Sequence, residues 1–155
     1  MQINIPNYKN LEIKNLVFDF NGTLAKDGKL LEGVAILLEE LSRSFDIFVL
    51  TADTNKSVEN ELKGLHVKTV ILKSKNHTNE KMEFVQSLGY ETCASFGNGA
   101  NDELMLKHSC LSIVVLGDEG CATKTLLAST LTCKSIFEAI ELFLYPNRLI
   151  ASLRA

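Results

Sequence analysis

Three clusters of polar residues, each placed directly after an apolar run, hold the side chains of this sequence that could do chemistry together. They are Asp19-Phe-Asn-Gly-Thr23, Thr51-Ala-Asp53 and Gly97-Asn-Gly-Ala-Asn-Asp102. A carboxylate can attack an electrophilic centre and form a covalent intermediate. Carboxylate and amide oxygens are also good ligands for a hard cation such as Mg²⁺. The residue types therefore allow nucleophilic catalysis assisted by a divalent cation.

The elements that must position these clusters are short strands that alternate with helices. Apolar runs predict strands over residues 15–20, 46–50, 68–72, 91–96 and 111–116, with a brief extended piece near Leu131. Helical spacing of apolar residues predicts helices over 34–41, 54–65, 78–88, 101–108, 123–128 and 135–144. Thr54 and Thr78 are the expected caps of the second and third helices. The pair Asp27-Gly28 predicts a hairpin over 24–31, and apolar residues in 1–13 predict a small edge hairpin.

This alternation predicts one α/β domain over residues 1–155, with a central parallel sheet and helices on both faces. In such open sheets, ligands bind outside the carboxyl ends of the strands. All three polar clusters follow predicted strands, so they should meet at one edge of the sheet. Taken singly, Asn-Gly is a common turn pair, and Thr51, Asn101 and Asp102 could be turn or cap residues. Three clusters at the same edge favour a functional site.

In their order along the chain, these residues resemble the motifs of the haloacid dehalogenase superfamily of phosphatases and P-type ATPases. The first cluster resembles the first motif, and Thr51 resembles the second. Lys81, followed by Val85 and Leu88, is similar to the Lys-x-x-x-Val-x-x-Leu stretch of the third motif. The last cluster resembles the Gly-Asp-Gly-x-Asn-Asp fourth motif. The resemblance is strongest to soluble proteins that look like an isolated P-type ATPase phosphorylation domain. It implies a three-layer α/β/α Rossmann-like core without a large cap domain.

The resemblance also implies roles for the matched residues. Asp19 is the implied nucleophile, which would carry an aspartyl-phosphate. The implied protein ligands of Mg²⁺ are Asp19, the backbone carbonyl of Asn21, Asn98 and Asp102. The implied catalytic residues are Asp19, Asn21, Thr51 and Lys81. The implied phosphate-binding residues are Gly22, Thr51, Lys81 and Asn101. Lys73 and Lys75 compete with Lys81 for the role of the charge-neutralising lysine, because they lie nearer the end of the third strand; the family pattern favours Lys81.

Two positions depart from the family pattern, and each replaces an aspartate by an asparagine. Asn21 stands where most phosphatases of the superfamily have a second Asp that moves a proton, and an amide cannot carry that proton. General acid–base help of this kind is typically worth about 10²–10⁴-fold in rate. Asn98 stands where a metal-binding Asp is usual, so the site has one negative charge fewer. The sequence therefore predicts a slow site with weaker Mg²⁺ binding.

The overall composition excludes several classes of partner. The 155 residues include 16 Lys and Arg and 19 Asp and Glu, which gives a formal net charge of −3 at pH 7. This balance lacks the basic face that nucleic-acid binding requires, so no nucleic-acid partner is expected. No apolar run approaches the ~18 residues that would span a bilayer, so no membrane partner is expected. Residues 1–10 lack the pattern of a secretory signal, and a cytoplasmic location is expected.

The predicted function is Mg²⁺-dependent hydrolysis or transfer of phosphate from a phosphorylated substrate. One alternative is a weak or inactive module that binds phosphate, Mg²⁺ or a partner. Another is hydrolytic dehalogenation, which also uses an Asp nucleophile but which in this superfamily relies on a large cap. An uncapped site could take an extended substrate or be covered by a second copy of the chain. The hairpin over 24–31 and the apolar tail are the surfaces for such self-association, unless they complete the core.

Overall fold

A six-stranded parallel sheet forms the centre of the computed structural model, which describes residues 1–53 and 57–155. The described strands are β1 (Gln2–Ile5), β2 (Lys9–Glu12), β3 (Asn15–Asp19), β4 (Ala25–Lys26), β5 (Lys29–Leu30), β6 (Asp46–Thr51), β7 (Lys68–Ile71), β8 (Cys93–Gly97), β9 (Leu111–Val115) and β10 (Leu131–Cys133). The central sheet has the order β10-β9-β8-β3-β6-β7. Three of its four interior strands, β8, β3 and β6, precede the polar clusters.

Helices cover both faces of this sheet. They are α1 (Val34–Ser42), α2 (Ser57–Glu61), α3 (His77–Ser87), α4 (Glu103–His108), α5 (Thr123–Ala128), α6 (Ile136–Leu144) and α7 (Pro146–Leu153). One apolar cluster joins α1, α2, α6 and α7 to one face, and a second joins α3, α4 and α5 to the other. The predicted three-layer α/β/α fold with a parallel sheet is confirmed, and the described residues contain no large cap domain.

The centre of the sheet is buried on both faces because its strands are almost continuously apolar, as is typical of parallel sheets. In β3, Val17 and Phe18 are fully buried and point to opposite apolar clusters. Phe18 stacks on Phe96 of β8, with 4.2 Å between the ring centroids. Phe143 of α6 lies against the same Phe96 ring at 5.3 Å. This packing fixes the strands whose carboxyl ends carry the polar clusters.

The start of α3 and the end of α2 differ from the sequence expectation. Thr78 does not cap α3; the cap is Asn76, whose side chain accepts a hydrogen bond from the backbone N–H of Asn79 at 3.2 Å. Asn is a strong capping residue, and it comes first along the chain. The expected cap Thr54 lies outside the described residues, and α2 ends at Glu61 instead of extending to 65. Gly64, with a φ of +85°, follows in a turn that ends the helical path.

The amino-terminal hairpin was expected at an edge of the main sheet, and this expectation is wrong. β1 and β2 form their own two-stranded antiparallel sheet, while β10 and β7 form the edges of the main sheet. Ile13 is followed almost directly by β3, so the hairpin lies at the amino end of the central strand. Its inward residues Ile3, Ile5 and Leu11 are buried in the cluster that also contains Leu149 of α7.

The last strand of the sheet and the carboxyl-terminal helix complete the fold. The extended piece near Leu131 is the sixth strand of the sheet, parallel to β9. The tail beyond Tyr145 forms α7, which begins at Pro146, a residue suited to a first helical position. Within residues 1–53 and 57–155, no helix is long and apolar enough to cross a membrane.

Candidate active site

A buried lysine between two buried carboxylates forms the centre of the site. The Nζ of Lys81 donates to Oδ1 of Asp19 at 2.5 Å and to Oδ1 of Asp102 at 2.6 Å. Asp19 ends β3, Asp102 follows β8, and Lys81 lies on α3. Lys81 is 1% exposed and Asp102 is fully buried, whereas Asp19 keeps 9% of its surface. The fold thus brings together three of the residues that the sequence singled out.

The electrostatics of this centre follow from burial. Burial, aided by the charge of Asp102, raises the pKa of Asp19 to about 7, against the opposing effect of Lys81. Burial also disfavours a charged Lys81, but the two neighbouring carboxylates outweigh it and raise the pKa of its ammonium group. Lys81 therefore stays positively charged, whereas burial destabilises the ionised form of Asp19.

The Asp102 loop (residues 97–102) folds around its own carboxylate. Oδ2 of Asp102 accepts hydrogen bonds from the backbone N–H of Asn98 at 3.0 Å and of Gly99 at 2.9 Å. A Cβ at Gly97 would lie 2.5 Å from Cγ of Asp102, closer than real Cβ contacts. Position 97 must therefore be glycine for the loop to close on this carboxylate.

The Asp19 loop (residues 19–23) is tied to the Asp102 loop through Thr23. The buried Oγ1 of Thr23 lies 3.5 Å from Oδ2 of Asp19 and 3.4 Å from Oδ1 of Asn98. Gly22 has a φ of +80°, and a Cβ there would lie 2.4 Å from the amide nitrogen of Asn98. Thr23 and Gly97 belong to the site although the sequence-based list omitted them; both lie inside the clusters that pointed to the site.

Thr51 and Asn101, two further residues predicted from the sequence, take no part in the ion pairs of Lys81. Thr51 ends β6 and is buried, and its Oγ1 accepts a hydrogen bond from the N–H of Asp53 at 3.1 Å. No hydrogen bond within residues 1–53 and 57–155 uses its hydroxyl proton, which is the one a phosphoryl oxygen would accept. Asn101 is half-buried in the turn that precedes Asp102, and the hydrogen bonds joining the two carboxylates to Lys81 do not include it.

Asn21 and the competing lysines do not reach the carboxylates. The side chain of Asn21 is exposed and accepts a hydrogen bond from the N–H of Gly28 at 3.1 Å, so it faces the β4–β5 hairpin. Lys73 and Lys75 are exposed in the segment between β7 and α3. The structure thus places Lys81, rather than either of them, between the two carboxylates.

The donor atoms of the site suit a hard divalent cation. Oδ2 of Asp19 meets only the distant Thr23 hydroxyl among the described hydrogen bonds, so it retains free lone pairs. Oδ1 of Asn98 faces the same hydroxyl. In residues 1–53 and 57–155, no three His, Cys, Asp or Glu side chains cluster as a metal site. Asp19 offers a free carboxylate oxygen, whereas Asp102 has only Oδ1, shared with Lys81, because its Oδ2 accepts two backbone N–H groups. The oxygen shell must therefore be completed with amide and carbonyl oxygens, a set that fits Mg²⁺.

Comparison with known proteins identifies two relatives by sequence and several solved structures with a similar fold. No protein-family model matches the chain. The uncharacterized protein MJ0073 of Methanocaldococcus jannaschii is 50% identical over 60 residues, which cover 39% of this chain. The matched part of the chain spans 64% of that relative's length. The uncharacterized protein MJ0072 of the same organism is 44% identical over 41 residues, which cover 26% of this chain and 93% of the relative.

Solved structures share the fold over most of the chain. A 3-deoxy-D-manno-octulosonate 8-phosphate phosphatase from Moraxella catarrhalis, in complex with magnesium, phosphate and KDO, superposes with a TM-score of 0.72. The two proteins are 18% identical, and the match covers 92% of this chain and 94% of the phosphatase. A HAD-superfamily subfamily III A hydrolase from Legionella pneumophila gives a TM-score of 0.71 at 15% identity, covering 86% of this chain and 82% of that chain. The chain belongs to the same sequence family as MJ0072, and it shares its fold with these solved structures, one of which is a haloacid dehalogenase superfamily hydrolase.

Proposed function

We propose that this protein is a Mg²⁺-dependent phosphohydrolase or phosphotransferase that works through an aspartyl-phosphate on Asp19. The observation that carries this proposal is the buried arrangement of Asp19, Lys81 and Asp102 at the carboxyl ends of adjacent strands. A partly exposed carboxylate beside a buried cation suits a nucleophile whose product carries more negative charge. The phosphatase activity of the proteins with the same fold supports the proposal. The finer likeness to a P-type ATPase phosphorylation domain is part of the same proposal.

Each residue of the centre has a defined task in this reaction. A carboxylate oxygen of Asp19 forms a bond to phosphorus while the bond from phosphorus to the substrate's ester oxygen breaks. The ammonium group of Lys81 neutralises charge on the transferring phosphoryl group, and the hydroxyl of Thr51 donates to one of its oxygens. Water then attacks the phosphorus atom, which releases inorganic phosphate and restores the Asp19 carboxylate.

The same residues would hold the metal. Asp19, Asp102, the backbone carbonyl of Asn21 and the amide oxygen of Asn98 are the proposed ligands. When bound, Mg²⁺ supplies positive charge that reduces repulsion between the Asp19 carboxylate and the phosphate. Lys81 supplies part of that charge permanently, because its pKa is raised by the two carboxylates around it.

A second candidate is a module that binds phosphate and Mg²⁺ with little or no turnover. The orientation of Asn21 favours it, because this side chain faces Gly28 of the hairpin and has no proton to exchange. The leaving group would then take its proton from solvent, and attack by water would lack a general base. Under the first candidate, breakdown of the aspartyl-phosphate is therefore slow; under the second, little or no aspartyl-phosphate forms.

The test is hydrolysis of p-nitrophenyl phosphate and of a panel of phosphate esters by the purified chain, with and without Mg²⁺. We expect Mg²⁺-dependent turnover that disappears in Asp19→Asn. Asp46→Asn is the matched control, because Asp46 is an exposed carboxylate at the opposite end of its strand. Activity that survives Asp19→Asn contradicts the aspartyl-phosphate mechanism. Absence of turnover together with no Mg²⁺-dependent uptake of beryllium fluoride identifies the binding module instead, and halide release without metal identifies a dehalogenase.

A further inference from the structure

The segment that follows β9 makes three hydrogen bonds to the Asp102 loop. We name residues 120–125 the brace segment. The amide nitrogen of Asn98 donates to the carbonyl oxygen of Gly120 at 3.0 Å. The N–H of Ala122 donates to the carbonyl of Asn98 at 2.9 Å. The hydroxyl of Thr125 donates to the carbonyl of Gly99 at 2.8 Å. One side chain and two successive peptide groups of the loop are thereby held by one short segment.

The contact with Gly120 determines which way the amide of Asn98 points. A carbonyl oxygen can only accept a hydrogen bond, so the atom facing it must be the amide nitrogen. The amide oxygen then faces Thr23, which is the side where Asp19 lies. The brace segment therefore presents an oxygen, and not an N–H group, toward the acidic centre.

The same contact explains why an aspartate would be unsuited to position 98. A carboxylate has no proton to donate, and its oxygen would lie close to the Gly120 oxygen in a site that is 8% exposed. Two buried acceptors facing each other leave both unsatisfied. An asparagine at position 98 therefore satisfies the Gly120 carbonyl of the brace segment, which an aspartate could not do.

Thr125 is the residue that connects the brace segment to the rest of the loop. It is fully buried, and its hydroxyl binds the carbonyl of Gly99. The N–H of Gly99 in turn donates to Oδ2 of Asp102. Loss of the Thr125 hydroxyl would leave the Gly99 carbonyl without this partner and loosen a loop that carries two proposed ligands.

We infer that Thr125 is a positioning residue. Its hydroxyl holds the Asp102 loop in the position where Asn98 can donate to Gly120. That contact directs the amide oxygen of Asn98 into the metal-binding side of the site. This inference rests on the proposed function only for the identity of the ligand. The orientation of the amide is a property of the protein alone.

The first experiment measures binding of Mn²⁺, used as the probe for the divalent site, by titration followed by electron paramagnetic resonance. Thr125→Val removes the hydroxyl at nearly constant shape, and Thr125→Ser keeps it. We expect Thr125→Val to weaken Mn²⁺ binding about tenfold, as supporting groups of metal sites commonly do, and Thr125→Ser to stay within about twofold of the original protein. The control is Ser112→Ala, which removes another buried hydroxyl near the opposite end of β9. It should lower the unfolding temperature without changing Mn²⁺ affinity.

The second experiment uses metal-free protein, so it decides the inference even if no Mn²⁺ binds and the proposed function fails. The side-chain NH₂ group of Asn98 is followed by ¹⁵N NMR, and its exchange with solvent is measured. Protection should be present in the original protein, Thr125→Ser and Ser112→Ala, and should fall about tenfold in Thr125→Val because the loop opens more often. An unprotected amide in the original protein overturns the inference, as does equal protection in Thr125→Val.

A double-variant comparison separates the brace segment from simple charge repulsion. Asn98→Asp should lower the unfolding temperature of the metal-free protein by roughly 3–8 °C, since it loses a buried donor. Repulsion from Asp19 and Asp102 contributes to that loss in any background. The loss should be clearly smaller when Thr125→Val has already loosened the loop. Equal losses in the two backgrounds would show that residue 98 and Thr125 act independently, against the inference.

Discussion

The Asp19 loop and the Asp102 loop have similar compositions but hold their carboxylates differently. Each has one carboxylate bonded to Lys81, and each has at least one glycine where a Cβ would collide with a side chain of the site. Asp102 accepts two backbone N–H groups in addition and is fully buried. Asp19 keeps 9% of its surface exposed, and its second oxygen meets the distant hydroxyl of Thr23 at 3.5 Å. The difference teaches that one carboxylate is an anchor and the other is left able to react.

Removal of the cation shared by the two loops should have the largest effect. Lys81→Met leaves two buried carboxylates without their partner, and breaking a buried ion pair in this way costs about 3–5 kcal/mol of stability. Activity should also be lost. Urea unfolding of Lys81→Met and of Lys68→Met, which breaks an exposed pair with Asp46, provides the measurement and its control. Equal stability of these two variants would contradict the central place of Lys81.

A change confined to the anchoring loop should have the next largest effect. Gly97→Ala places a methyl group against the buried Asp102 carboxylate, and overpacking of this kind costs about 1–3 kcal/mol. Gly28→Ala is the control for backbone strain without a collision, because Gly28 has a φ of +76° in the hairpin but open space around its Cβ position. Thermal unfolding of the two variants should show that Gly97→Ala is less stable than Gly28→Ala. Gly97→Ala should also be inactive. If Gly97→Ala were fully active, closure of the Asp102 loop would not be needed for function.

A smaller effect is expected from restoring a proton carrier beside the reactive carboxylate. Asn21→Asp should speed hydrolysis by about tenfold, which is below the general acid–base range of about 10²–10⁴-fold, because the new carboxylate can still accept from Gly28 and stay near the hairpin. Steady-state rates on an aryl phosphate measure this gain. A decrease in rate, with the unfolding temperature unchanged, would argue against a role for position 21 in proton transfer.

The smallest effect should appear in the pH dependence of stability of chelator-treated protein. The pKa of Asp19 is raised to about 7 by burial, so between its unfolded value and 7 the folded state binds more protons than the unfolded state. Stability therefore falls as pH rises from about 4 to about 7 and levels off above that; the last part of this loss, between roughly pH 6 and 8, is about 1 kcal/mol. Thermal unfolding at several pH values should show this slope in the original protein and its absence in Asp19→Asn. An identical slope in both would assign it to another group.

The sequence was sufficient to predict the sheet, its flanking helices and the residues at its carboxyl edge. Strand ends are predictable because apolar runs stop where the chain leaves the core, and parallel strands bring those ends together. Lys81 could be anticipated only through the family pattern, since a single lysine on a helix is usually solvated. The orientation of Asn21 toward Gly28 depends on a hairpin bond that no local pattern encodes.

The remaining differences have two physical causes. Neighbouring residues with similar capping chemistry, such as Asn76 and Thr78, compete for one helix start, and the tertiary structure decides between them. Contacts between distant segments, such as that of Thr125 with Gly99, arise from the packing of α5 beside the Asp102 loop. Spacing along the chain carries no signal for such contacts.

The position of β3 has a consequence for how the protein acquires its structure. This strand lies early in the chain, yet its two neighbours in the sheet are β6 and β8, which are made later. A growing chain therefore holds an apolar strand with unpaired backbone on both sides until β6 is made, and on one side until β8 has left the ribosome. Non-local pairing of this kind slows folding and exposes the strand to aggregation meanwhile. Synthesis interrupted before residue 97 should yield insoluble fragments, because the strand that holds the nucleophile has no second partner.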